Sequence, residues 1–226
     1  MDNRKIAVFD SGVGGLTTLE YLKKMLPNEN YVYFGDFKNN PYGTKTTDEL
    51  QKILKNNIEL LMTKNVKIIV IACNTAGTQI DYLKTITDIP MFEPITVTTK
   101  TINEMQNIKD ILLLATNYTV KIGLYQKYLN KYHVIGQPAQ ELVRLAEENR
   151  HDLEVIKDIM LVHQNKVDMV ILGCTHFGYF TKEIQEIVKP NIIVESSYEL
   201  AKYVVKYLQE NDMLNDRGTA EVEFIK

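Results

Sequence analysis

The chain has only two cysteines and no block of lysine and arginine, and each shortage removes a class of reading. Two thiols cannot build a disulfide framework, and without a C-x-x-C pair the usual zinc and redox spacings are missing. The net charge is −3 with basic residues dispersed, Lys23-Lys24 being simply one helix face, so nothing marks a nucleic-acid footprint. No apolar run approaches the roughly 20 residues that span a bilayer. Met1-Asp2-Asn3-Arg4-Lys5 leads straight into Ile6-Ala7-Val8-Phe9-Asp10, with no apolar segment of signal-peptide length ahead of it. The expected setting is therefore the cytoplasm, with both thiols reduced and no membrane partner. Proline and glycine never concentrate into a linker, so any boundary inside the 226 residues is subtle.

What the chain does have is alternation. Short runs of Ile, Val and Leu recur at 6–10, 31–35, 68–72, 111–115, 132–135, 169–173 and 191–194, and read as strands buried on both faces. Helical periodicity fills 16–25, 47–64, 96–105, 120–130, 152–165 and 197–210. This order predicts the α/β class: mostly parallel sheets flanked by helices and joined by right-handed crossovers. A strand, a cysteine and a helix occur once in each half, which predicts two pseudo-symmetric lobes with the active site between them. Two prolines in 88–94 and another at Lys189-Pro190 place the boundaries, giving 1–92 with 189–226 as the lobe of Cys73 and 93–188 as the lobe of Cys174. The tail Glu221–Lys226 reads as a further strand.

Ligands of parallel sheets sit at the carboxyl ends of the strands, and both cysteines stand there, in Ala72-Cys73-Asn74-Thr75 and Gly173-Cys174-Thr175-His176. A lone cysteine on an apolar strand is usually a small buried hydrophobe. Two, each followed by hydrogen-bonding residues, suggest facing acid/base thiols and two-base proton transfer. From a pKa of about 8.5, ionisation at pH 7 costs about 2 kcal/mol. A helix N-terminus lowers that cost, and His176 beside Cys174 and Asp10 beside Cys73 are candidate helpers. Phe9-Asp10-Ser11-Gly12-Val13-Gly14-Gly15 reads as a tight turn before a helix and a seat for an anion, although its glycine order is not the dinucleotide fingerprint. Asn40-Pro41-Tyr42-Gly43 is a turn at the same sheet edge, with Tyr42 and the Gly43 amide as candidate substrate contacts. Thr116 and Thr119 follow another strand and either bind a carboxylate or cap the next helix. Glu147 sits on a charged helical stretch. His133, His151 and His163 stand in unrelated contexts, and no metal site is expected.

Together the Asp10-to-Gly15 turn, Pro41-Tyr42-Gly43, Ala72-Cys73-Asn74-Thr75-Ala76 and Gly173-Cys174-Thr175-His176-Phe177 resemble the bacterial glutamate racemase family, in its order and at about its spacing. The resemblance implies a cofactor-independent racemase of two pseudo-symmetric lobes that supplies D-glutamate for peptidoglycan. It implies Cys73 and Cys174 as the catalytic thiols, acting on the D- and L-isomer respectively, assisted by Asp10 and His176. It implies Ser11, Tyr42, Gly43, Asn74, Thr75, Thr119 and Thr175 as substrate-binding positions, and Glu147 as a residue near the second thiol. The absence of a Schiff-base lysine context disfavours pyridoxal phosphate. Gly77, Gly178 and Glu195-Ser196-Ser197 depart from the family pattern, and the family usually continues past the final strand into another helix. An aspartate or broad-specificity racemase is the near rival, although His176 stands where the aspartate branch carries glutamate. A non-catalytic amino-acid binder, or a relative that serves a protein partner such as gyrase, is the distant one. The oligomeric state is left open, a homodimer among the options.

Overall fold

The computed structural model describes residues 2–225. Its strands in chain order are β1 (Lys5–Asp10), β2 (Tyr31–Gly35), β3 (Val66–Ile71), β4 (Met91–Phe92), β5 (Asp110–Ala115), β6 (His133–Pro138), β7 (Met169–Gly173), β8 (Ile192–Glu195) and β9 (Val222–Ile225). The α-helices are α1 (Leu16–Met25), α2 (Thr47–Met62), α3 (Asn74–Gly77), α4 (Ile80–Leu83), α5 (Pro94–Asn103), α6 (Asn117–Ile122), α7 (Leu124–Tyr128), α8 (Gln140–Glu147), α9 (Leu153–Met160), α10 (Thr181–Val188) and α11 (Ser196–Glu210). They build two sheets, ordered β4-β3-β1-β2-β9 and β6-β5-β7-β8, in which every pairing is parallel.

Both faces of each sheet are covered, which is why its central strands are nearly continuous Ile, Val and Leu. In the first sheet Ala7, Phe9, Ile69 and Ile71 pack under α2, while Ile6, Val8, Ile68 and Val70 point the other way onto α1 and α11. In the second sheet Leu112, Leu114, Val170 and Leu172 pack under α8, α9 and α10, and Ile111, Leu113, Met169 and Ile171 under α5 and α7. The period of two places successive side chains in opposite cores. At about 1.5–3 kcal/mol per buried aliphatic side chain, these four layers oppose the chain entropy.

The chain leaves the first sheet after β4, near the expected boundary. Its return differs from expectation: β8 is the edge of the second sheet, so residues 189–195 stay with Cys174, and only from Ser196 does α11 pack against α1. The tail forms β9 as expected and lies parallel to β2. The helix expected over 120–130 is two helices, because Gly123 adopts φ 73° and ends α6.

Lys67, at the amino end of β3, is fully buried with its Nζ 2.7 Å from Glu29 Oε2. The same ammonium donates to the carbonyls of Asp2 at 2.8 Å and Met213 at 2.6 Å, and Glu29 Oε1 accepts from the Asn215 amide at 2.8 Å. This cluster ties the segment between α11 and β9 to the floor of the first sheet. Among the described residues no helix is long and apolar enough to cross a membrane.

Candidate active site

The carboxyl ends of β1 and β3 from one sheet and of β5 and β7 from the other meet at one cleft. Cys73 follows β3 and precedes the single turn of α3; Cys174 follows β7. Both thiols are free, both are buried, and both line the same cavity, about 320 Å³ counted out to its mouth. The residues beside each thiol share that wall: Ser11, Asn74 and Thr75 near the first, Thr175 and His176 near the second.

The two thiols stand in unlike electrostatic settings. Burial pushes the Cys73 thiol up to about 12, and the Asp10 carboxylate adds to the shift against smaller help from the Ala76 amide and Ser11. The expected lowering at a helix N-terminus is therefore overturned, since one turn of helix supplies less than burial and a nearby anion remove. Cys73 Sγ donates to Ser11 Oγ at 3.8 Å. Asp10 is completely buried behind Ser11, and burial raises its carboxyl above the ordinary range. Its Oδ2 accepts from the Gly12 amide at 3.1 Å, whereas Oδ1 has no partner.

Across the cavity His176 Nδ1 lies 3.6 Å from Cys174 Sγ. Burial disfavours the imidazolium, but Cys174, Glu147 and Asp10 outweigh it and carry His176 up to about 10. His176 Nε2 is 3.4 Å from Glu147 Oε1, within ion-pair range yet not aligned as a hydrogen bond. Glu147 is held from the other lobe by Asn40 Nδ2 at 2.5 Å, and His176 draws its pKa down. Glu147 is thus a partly buried bridge behind His176, not the solvent-facing residue that its charged stretch suggests.

The neutral residues divide into those that face the cavity and those that brace it. Asn74 lines it and is braced there: Tyr125 donates to Oδ1 at 2.7 Å and Nδ2 donates to Ser196 at 3.1 Å. Thr75 and Thr116 join hydroxyls at 2.9 Å across the lobes, and both line the cavity. Thr119 does not line it; its hydroxyl sits behind them, 3.0 Å from Thr116 and 3.4 Å from Thr75. Thr116 also caps α6 by accepting from the Thr119 amide. Tyr42 turns its hydroxyl away to Asp36 at 2.7 Å, so what it offers the cavity beside Gly43 is ring and main chain. A Cβ on Gly43 would collide with the Gln140 amide oxygen and stand 3.0 Å from Thr116 Cβ.

The glycine-rich turn has a different task from the expected anion seat. The Leu16 and Thr17 amides bond to Val13 and Gly14 carbonyls, and the four residues from Gly12 to Gly15 do not line the cavity. A Cβ on Gly14 would collide with the Thr175 hydroxyl, so the turn permits close approach of the lobes. Sequence reasoning missed Asn40, Pro41, Gln140 and Val143, which complete the cavity wall. Asn40 and Pro41 belong to the turn of Tyr42 and Gly43 without having been singled out, whereas Gln140 and Val143 lie in no motif. Among the described residues no three His, Cys, Asp or Glu side chains group as a metal site.

Residues 34–197 match the family model described as Asp/Glu/Hydantoin racemase. A glutamate racemase of Clostridium botulinum (strain Alaska E43 / Type E3) is 34% identical over 227 residues, covering 94% of this chain and 87% of its own. The crystal structure of glutamate racemase from Francisella tularensis subsp. tularensis SCHU S4 in complex with D-glutamate superposes with a TM-score of 0.91 at 31% identity, covering 99% of this chain and 88% of that one. The aspartate racemase of Picrophilus torridus shares the fold, with a TM-score of 0.75 at 21% identity over 91% of this chain and 94% of its own.

Proposed function

The chain belongs to the Asp/Glu/hydantoin racemase family, and on that premise we propose that it interconverts L- and D-glutamate by proton transfer between Cys73 and Cys174, supplying D-glutamate for peptidoglycan. The observation that carries this reading is that both thiols of the chain, one from each sheet, line a single cavity. One sulfur, as thiolate, takes the α-proton; the opposite thiol donates its proton to the other face of the carbanion, and the configuration inverts. Each turnover leaves the first sulfur protonated and the second ionised.

The surroundings supply what such a step needs. His176, protonated beside Cys174, is the counter-charge for a thiolate on the side assigned to the L-isomer. Cys73, held as a thiol by burial and Asp10, is the ready donor on the other side. Asp10 acts through Cys73 as a positioning residue, and its unpaired oxygen can hold the proton while the thiols reset. Ser11, Thr75, Thr116 and Thr175 bring hydroxyls to the cavity that holds both thiols, where fixed dipoles act on a developing carbanion with little screening by water.

Replacing either thiol by serine is expected to lower racemisation by several orders of magnitude, measured by circular dichroism with L- and D-glutamate. In deuterated water, each variant should lose exchange of the α-proton from the isomer its missing sulfur serves. Full turnover in both variants would end the two-thiol reading. The glutamate relatives favour glutamate over aspartate as substrate, and L-aspartate in the same assay tests the alternative.

A further inference from the structure

Gln140, the first residue of α8, lines the same cavity as the thiols, and its Oε1 is buried without a hydrogen-bond partner. Buried polar atoms are normally paired within a fold, and this one is neither a helix cap nor part of the hydroxyl cluster. The amide also covers Gly43 closely, since a side chain at that glycine would meet it. Gln140 and Gly43 therefore form one wall, from opposite lobes, which runs on into Thr116.

The substrate's α-carbon lies between the sulfurs, so its ammonium and α-carboxylate are surrounded by the thiols' own neighbours. Its side chain must extend toward the remaining wall, where Gln140 stands with Asn40, Tyr42, Gly43, Thr116 and Val143. No lysine or arginine among the described residues lines the cavity. A side-chain carboxylate has to be held there by neutral donors, and a half-turn of the Gln140 amide places Nε2 where Oε1 stands. We propose that Gln140 is a specificity-determining residue whose Nε2 donates to the side-chain carboxylate of the substrate and so selects glutamate over its shorter homologue. This rests on the racemase reading. Aspartate, one methylene shorter, leaves the amide unreached, and a site built to hydrogen-bond a group discriminates against ligands that do not supply it.

The test is Q140L and Q140E, assayed with L-glutamate and L-aspartate by circular dichroism and with D-glutamate by calorimetry. Q140L is expected to raise KM for glutamate by about tenfold to a hundredfold, far more than it lowers kcat, and to narrow the preference for glutamate over aspartate. Q140E, isosteric with the native side chain, should weaken glutamate binding further by setting carboxylate against carboxylate, and serves alone if Q140L folds poorly. A wild-type KM and Kd in either variant overturns the proposal. Tighter binding of glutamate by Q140E also overturns it, because the amide would then face the ammonium. Racemisation by the wild type reads the underlying function separately, and wild type that neither binds nor racemises glutamate sinks both.

Discussion

At the scale of the residue, the two sulfurs share a cavity and little else. Cys73 has an anion behind it, Asp10; Cys174 has an imidazole 3.6 Å away that is itself backed by Glu147. His176 gains proton affinity on folding, from 6.5 to about 10. Its contribution to stability is therefore fully present below about pH 6.5, declines as pH rises, and is gone above about pH 10. H176N removes the titration, so the Tm gap between wild type and variant should be widest near pH 6 and close as the pH passes 10. Thermal unfolding across that range checks it, and a gap that widened with pH would mean that the imidazole is buried neutral.

At the scale of the element, α3 is a single turn that cannot persist by its own hydrogen bonds. It is held because Asn74 is clamped by Tyr125 of α7 and Ser196 of α11, while Thr75 meets Thr116 at the start of α6. Y125F leaves Asn74 Oδ1 buried and unpaired, which should cost about 1–3 kcal/mol of stability in urea denaturation and raise KM with it. Elements of this kind explain how much of the chain was legible. Six of the seven apolar runs are strands within one or two residues of their expected bounds, and 132–135 is the start of a longer β6, because burial on both faces writes each strand into composition. The paired cysteine motifs were legible because short contiguous signatures survive without context. The two residues of β4 and the two-turn helices α8 and α10 were not, since two turns repeat the helical period only briefly and, of the three eight-residue helices, only the more apolar α9 registered. Gln140 and Val143 were missed for the same reason, as their roles exist only once α8 is laid against the loop of Gly43. The bracing of Asn74 by Tyr125 and Ser196 joins positions far apart in the chain and has no local signature at all.

At the scale of the molecule, stability and chemistry occupy opposite ends of the first sheet. Cys73 follows the carboxyl end of β3, whereas Lys67 enters at its amino end and binds Glu29 with both side chains almost fully buried. Burial raises the Glu29 carboxyl despite Lys67 and the Asn215 amide, so the ion pair is bought at a desolvation cost that only the intact cluster repays. K67M leaves Glu29 uncompensated and frees the Asp2 and Met213 carbonyls, which should destabilise the protein by about 3–5 kcal/mol in chemical denaturation. The double variant E29L/K67M removes both charges and should recover much of that loss. Neither change touches the cleft, so kcat of folded protein should stay at the wild-type value. If kcat fell in K67M while the fold held, the floor of the sheet and the thiol at its top would be mechanically coupled through β3, and the separation of the two ends would be refuted.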